Sequence, residues 1–281
     1  MRHSNQSILT GFLTIKLFAI CLLVFHGFAV EPQRVIAIGP SVNSIIKGLN
    51  AQNQVIGVDT QSISQYPKTV SNIGYMRAVS LEGLLSLKPD LCIATNDTSP
   101  HKVIEDLGKY KVKTVTTSKI TTPDSVYQNI MLIGNALGNS EAAYQLKNKV
   151  MIEATGAIKL IPPHTRQKVL FLLQISPDNV FALGTNTHAD WWLKFIQMDN
   201  IVKFNGMRPL SKEGFMALTP DVIMVAKVNS QFQLPYKVEL ETYAKKHKVQ
   251  IITLNSQILD GFGADFGENT ALLVRQVYHV R

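Results

Sequence analysis

The chain has 281 residues, a formal net charge of +8, and a composition that is 46% hydrophobic and 17% charged. That length suffices for two lobes with cores of their own, and the hydrophobic share argues against both a disordered chain and one with several membrane spans. The positive charge fits an acidic ligand and equally nucleic acid, but no stripe of Arg and Lys interleaved with aromatics runs along the chain, which disfavours the second.

Residues 1–29 read as a signal peptide outside the fold. Arg2 and Lys16 precede the apolar run Leu17 to Phe25, which is too short for a comfortable membrane span. Gly27 and Ala29 take the minus-three and minus-one places of a signal-peptidase site before Val30. An uncleaved anchor is the alternative. Cys21 follows bulky Ile20 and precedes apolar residues, against a lipoprotein. Removal of the segment leaves Cys92 as the one cysteine and so no intramolecular disulfide; within Leu91-Cys92-Ile93-Ala94 it reads as a small buried hydrophobe.

After the linker Glu31-Pro32-Gln33, strand and helix alternate. A buried strand is predicted over 34–39, and Pro40-Ser41 opens a helix with Val42, Ile45, Ile46 and Leu49 at helical spacing. Strand 55–58, the Tyr75 loop, a helix over 81–87 and strand 91–94 follow. Thr95 to Pro100 is a polar loop at a strand's carboxyl end, where open α/β sheets bind ligands. A helix over 101–107 stops at Gly108, and strand 112–116 closes a lobe spanning 33–121.

Residues 122–163 read as a helical linker region. Thr122-Pro123-Asp124-Ser125 caps a helix whose apolar face holds Val126, Ile130, Ile133 and Leu137. Gly138-Asn139 breaks it, and a second helix runs over 140–160, ending before Pro162-Pro163. Residues 164–281 repeat the outline of the first lobe: strand 168–173, the loop Gly184 to His188 leading into a helix with Trp191, Trp192, Phe195 and Ile196, a loop bearing Arg208, strand 222–226, a helix near 238–247, strand 250–254, then Gly261-Phe262-Gly263 and a terminal helix from about Gly267.

One stretch occurs twice. Arg77, Ser80, Glu82, Gly83, Leu87, Pro89 and Asp90 recur as Arg208, Ser211, Glu213, Gly214, Leu218, Pro220 and Asp221 at a constant offset of 131 residues. Identities held in register without a gap are hard to explain by composition, and they define two copies of a loop-helix-strand unit. Two such lobes make a clamp. The copies differ where the first has Tyr75 and the second Gly206, a phenol facing a bare backbone.

These residues resemble the haem-specific substrate-binding proteins of bacterial ABC importers, in the helical-backbone cluster that includes vitamin B12 and ferric-siderophore binders. The motifs are Gly57-Val58-Asp59-Thr60 with Ser62 and Tyr66-Pro67, then Gly74-Tyr75-Met76-Arg77 with Ser80-Leu81-Glu82-Gly83, then Lys88-Pro89-Asp90. The resemblance implies an α/β fold of two similar Rossmann-like lobes, joined by a stiff backbone helix at 140–160, with the ligand cleft between them. It further implies a monomeric periplasmic carrier of ferric haem, an ABC permease dimer with its ATPase as partner, and an outer-membrane haem receptor upstream. The chain departs from the family at Ala264-Asp265, where a proline-arginine pair often stands.

A phenolate is a hard oxygen ligand that suits ferric iron, and tyrosine is a recognised axial haem ligand. Free tyrosine titrates near pH 10, so binding at neutral pH needs the metal's charge and a nearby cation. Arg77 is placed to be that cation, because in an extended loop positions i and i+2 point the same way. The competing reading is a tyrosine packed at a lobe surface with Arg77 paired to a carboxylate. By resemblance Tyr75 is the axial ligand and Arg77 its hydrogen-bonding partner. Arg208 would face the cleft from the other lobe and meet a propionate, or form an intralobe salt bridge. His188 would be a sixth ligand, a propionate contact, or a solvent-exposed helix-start histidine.

His101, His164, His247 and His279 lack metal-site spacing. Glu82 and Glu213, at equivalent points of the two lobes, form a pseudo-twofold pair suited to docking on a dimeric permease, beside their role as helix N-terminal charge. An enzyme is disfavoured: there is no Gly-x-Ser-x-Gly, Walker loop or dinucleotide fingerprint. Haem capture is the main expectation. A siderophore or cobalamin carrier of the same fold is the alternative, and a haem-modifying enzyme the weaker one.

Overall fold

A computed structural model describes residues 33–163 and 166–280. The expected signal peptide, Cys21 and His164 lie outside the described residues. Residues from Arg34 onward form one compact unit.

The first half alternates strands and helices in chain order: β1 (Val35–Ile38), α1 (Pro40–Gly48), β2 (Val55–Val58), β3 (Ser71–Asn72), α2 (Leu81–Ser86), β4 (Leu91–Ala94), α3 (His101–Leu107) and β5 (Lys113–Thr116). Their strands pair in the order β3-β2-β1-β4-β5, all parallel. The order reverses between β1 and β4, the topological position at whose carboxyl ends open α/β sheets bind ligands. β1 and β4 are buried along their whole length, as a parallel strand covered on both faces must be.

Two helices follow: α4 (Pro123–Ala136) and α5 (Ser140–Ile158). Thr122 and Ser125 cap the start of α4 reciprocally, with Pro123 in the first turn, so the signals read from the sequence act as expected. The long helix ends two residues before the expected Leu160.

The second half contains β6 (Lys168–Gln174), β7 (Val180–Leu183), α6 (His188–Phe195), β8 (Asp199–Asn200), β9 (Met207–Pro209), α7 (Lys212–Met216), β10 (Val222–Lys227), α8 (Lys237–His247), β11 (Gln250–Asn255) and α9 (Phe266–Tyr278). Its strands run β11-β10-β6-β7-β9, with β8 also on β6. β11, β10 and β6 are parallel, whereas β7 turns back antiparallel to β6 and β9 antiparallel to β7.

One sequence expectation is corrected here: Arg208 sits on the edge strand β9, not in a loop, and β9 pairs with β7 (Val180–Leu183), a strand on which the sequence raised no expectation. Both segments are too short for periodicity to reveal; pairing with each other and with β6 orders them.

One apolar core reaches from one face of the first sheet, through Ile45 and Ile46 of α1, Ile130 and Ile133 of α4 and Val150 and Ala154 of α5, to Val169 and Phe171 of β6 and Trp192 and Phe266 of the second half. Separate clusters cover the outer faces, around Leu84 and Leu107 in one sheet and Phe215 and Leu240 in the other. The central helices are thus a layer shared by both sheets. Opening the lobes widely would expose part of that common core, at about 25 cal/mol per Å² of apolar surface, so small shear motions are favoured over a wide hinge.

Candidate ligand cleft

The Tyr75 segment is held by backbone on both sides. Gly74 has φ 93°, a region that side-chain-bearing residues rarely adopt. Its carbonyl accepts from Thr60 N at 2.9 Å, and its N–H donates to Asn72 Oδ1 at 2.9 Å. Ala78 N donates to Tyr75 O at 2.8 Å, so Tyr75 to Ala78 form a turn. This corrects the extended geometry from which Tyr75 and Arg77 were expected to point the same way.

On the other side, Ser99 N donates to Met76 O at 3.0 Å, Val79 N to Ser99 O at 3.2 Å and Ser99 Oγ to Arg77 O at 3.1 Å. Met76 is buried and anchors the turn in the outer core, while Tyr75 stands 52% exposed.

The resemblance motifs around Asp59 form the support beneath. Asp59 is fully buried, and its carboxylate accepts from Gly39 N at 2.8 Å, Ser62 Oγ at 2.9 Å and Gln61 N at 3.0 Å. Asn43 Nδ2 donates to Ser62 Oγ, and Tyr66 Oη donates to Asn43 Oδ1 at 2.8 Å. A buried carboxylate is tolerable only when satisfied in this way. Burial, with the Asp59 charge adding, pushes the Tyr66 phenol up to about 12, so it remains a neutral donor.

Arg77 does not reach the Tyr75 phenol. Its Nη2 lies 3.1 Å from Asp97 Oδ2, in the polar loop after β4, and both side chains are largely exposed. Arg208 makes no ion pair among the described residues; its guanidinium lies 4.7 Å from the centre of the Phe204 ring.

His188 opens α6, exposed, with its ring 5.1 Å from that of Phe262. Asp260, just before Phe262, is half-buried. Burial pushes its carboxyl up, His188 opposes that shift, and the charges of Asp59 and Asp97 add to it. Sequence reasoning named the Asp97 loop but missed Asp97 and Asp260 themselves, since no spacing signals a pairing across separate loops.

Apolar surface borders the second half of this region. Ile175 and Val228 lie exposed just past the carboxyl ends of β6 and β10, and Met207 on β9 is 54% exposed. A notch of about 230 Å³ beside His188 is lined by Trp191, Phe195, Phe262 and Phe266. A larger groove of about 580 Å³ runs between α1, α5 and α9, and none of the expected ligand residues borders it.

The Ala264-Asp265 departure closes the rim between the lobes. Ala264 N donates to Ser44 Oγ at 3.0 Å, and Ser44 Oγ donates to Asp265 Oδ2 at 3.1 Å. A side chain at Gly263 would lie 2.9 Å from Ser41 O, so glycine permits that approach.

Glu82 and Glu213 are both exposed in the first turns of α2 and α7. The Glu213 backbone N–H and the Ser211 hydroxyl hold the Glu213 carboxyl below its usual value. Among the described residues, no group of three His, Cys, Asp or Glu side chains is arranged to hold a metal ion, and no helix is long and apolar enough to cross a membrane.

Two α/β sheets sharing a helical layer, with ligand-ready loops at their carboxyl edges, define a solute-binding protein. The chain belongs to the periplasmic binding protein family, whose model matches residues 35–246. Members of this family are transport components that bind solutes, and the chain is such a binding protein rather than an enzyme. The fold is shared with the periplasmic heme-binding protein RhuT from Roseiflexus sp. RS-1 in apo form, at 27% identity and a TM-score of 0.74, covering 89% of this chain and 99% of that one.

A Bacillus subtilis ABC transporter substrate-binding lipoprotein, YvrC, is 27% identical over 204 residues, 69% of this chain and 63% of its own length. The vitamin B12-binding protein of Pectobacterium atrosepticum is 30% identical over 97 residues, 34% of each chain. The chain therefore spans less than two thirds of the length of these two curated relatives.

Proposed function

We propose that the protein is a periplasmic, monomeric carrier that captures ferric haem and delivers it to an ABC transporter. The supporting observation is the Tyr75 phenol: half-exposed, on a turn hydrogen-bonded to neighbouring loops on both sides, in a fold shared with a heme-binding protein. In this reading the Tyr75 oxygen is the axial ligand of the iron. Arg77 donates to that oxygen, Arg208 receives a propionate, and His188 contacts a propionate or supplies a sixth ligand. Met207, Val228 and Ile175 offer apolar surface to the macrocycle.

Glu82 and Glu213 dock on the two subunits of a permease dimer coupled to its ATPase, with an outer-membrane haem receptor upstream. The domain division at 33–121, 122–163 and 164–281, and a signal peptide over residues 1–29, belong to the same proposal.

A second reading, a cobalamin or ferric-siderophore carrier, is favoured by the vitamin B12-binding relatives. Titrating the purified mature chain with haemin, cyanocobalamin and a ferric siderophore separates the two. Saturable one-to-one haemin binding with a phenolate-to-iron charge-transfer band in the red is expected, and tighter binding of cobalamin or the siderophore would reverse the order.

A further inference from the structure

The two halves present the same arginine in opposite electrostatic settings. Arg77 is ion-paired with Asp97 at 3.1 Å. At the offset of the repeat, Asp97 corresponds to Val228, which is 55% exposed, and Arg208 has no carboxylate partner among the described residues. The Asp97 loop is bound to the Tyr75 turn by three hydrogen bonds centred on Ser99: its N–H to Met76 O, its carbonyl from Val79 N and its hydroxyl to Arg77 O. Backbone therefore holds the Asp97 loop against the Arg77 turn, with the two side chains within ion-pair distance.

We propose that Asp97 is a positioning residue that restrains ligand capture. It holds the Arg77 guanidinium away from the phenol, so the oxygen that takes the iron must compete with a carboxylate for that cation. Whether the guanidinium exchanges partners or is shared, its charge is partly neutralised by Asp97, and the phenolate gains less from it. A carrier must also surrender its cargo, and a tempered grip on the iron serves release. The inference rests on the Tyr75 reading above, and it concerns the iron specifically: a porphyrin without iron does not engage the phenolate and should not sense Asp97 through Arg77.

The test is a double-mutant cycle with the mature chain, Asp97→Asn and Arg77→Gln singly and together, titrated with haemin and with iron-free protoporphyrin. Asp97 is exposed, and unchanged thermal melts will verify that the variants fold. Asp97→Asn is expected to tighten haemin by about two- to fivefold, the scale of one exposed ion pair, and to leave protoporphyrin unchanged. In the Arg77→Gln background that gain should vanish. Arg77→Gln should shift the red charge-transfer band, whereas Asp97→Asn alone should preserve it.

Unchanged or weaker haemin binding by Asp97→Asn would overturn the proposal. So would a gain of equal size in the Arg77→Gln background, which would mean that Asp97 acts on the ligand's own charges. Tyr75→Phe is the separate control: if it leaves haemin affinity intact, the ligation reading fails and this inference with it. A large Tyr75→Phe effect beside a null Asp97→Asn effect rejects the inference alone.

Discussion

The two copies of the repeated unit agree where the backbone needs help and differ where the cleft is lined. Ser80 and Ser211 each accept from the glycine N–H three residues on, at 3.1 Å, and cap α2 and α7. Asp90 accepts from Arg34 N at 2.9 Å and Asp221 from Lys168 N at 2.8 Å, tying the start of each lobe's first strand to its neighbour. Leu84 and Phe215, three residues after those caps' first helical position, fill the two outer cores.

Against that shared frame, Tyr75 faces a counterpart in Gly206, and Asp97 a counterpart in Val228. The shared serines, aspartates and apolar positions are therefore explained by folding, and the differences at Tyr75 and Asp97 hold candidate chemistry. Arg77 with Arg208 and Glu82 with Glu213 stand apart as shared residues that the fold does not consume.

Replacing the phenol should produce the largest effect, because it abolishes what distinguishes the first copy. Tyr75→Phe is expected to weaken haemin by on the order of 100-fold, ~2.7 kcal/mol, and to remove the red band, both read in an absorbance titration. Next comes the shared pair: Glu82→Ala with Glu213→Ala should leave haemin affinity unchanged and cut transporter-dependent haem uptake by about tenfold, with each single variant falling between.

Arg208→Ala should cost about fivefold in affinity for haemin and iron-free protoporphyrin alike, since a propionate contact is blind to the metal. A loss confined to haemin would assign Arg208 to the iron and erase its contrast with Tyr75.

Smaller effects test the frame itself. Ser80→Ala and Ser211→Ala should each destabilise the protein by ~1 kcal/mol, measured as matched drops in thermal midpoint; unequal drops would show that the two caps are not equivalent. Tyr66 offers the contrast within one lobe, a phenol locked as a donor beside the exposed Tyr75. Its folded pKa is raised to about 12 from an ordinary 10.0. Between those values the unfolded chain loses its proton first, so stability is retained below pH 10 and falls as pH rises toward 12. Tyr66→Phe should flatten that slope in alkaline denaturation curves.

The sequence alone determined the alternation of buried strands and capped helices, because burial on both faces and capping chemistry leave local patterns: the runs at 35–38 and 91–94, Thr122 through Ser125, Gly138 after a helix. The internal repeat was equally legible, and with it the two lobes. Only the tertiary structure decided the short strand at 180–183 and the edge strand at 207–209, the turn that separates Tyr75 from Arg77, and the partner Asp97 for Arg77. A strand of three or four residues has no period to read, and a charge on one loop leaves no mark on the spacing of another. Such pairings depend on which loops the two sheets bring to a common edge.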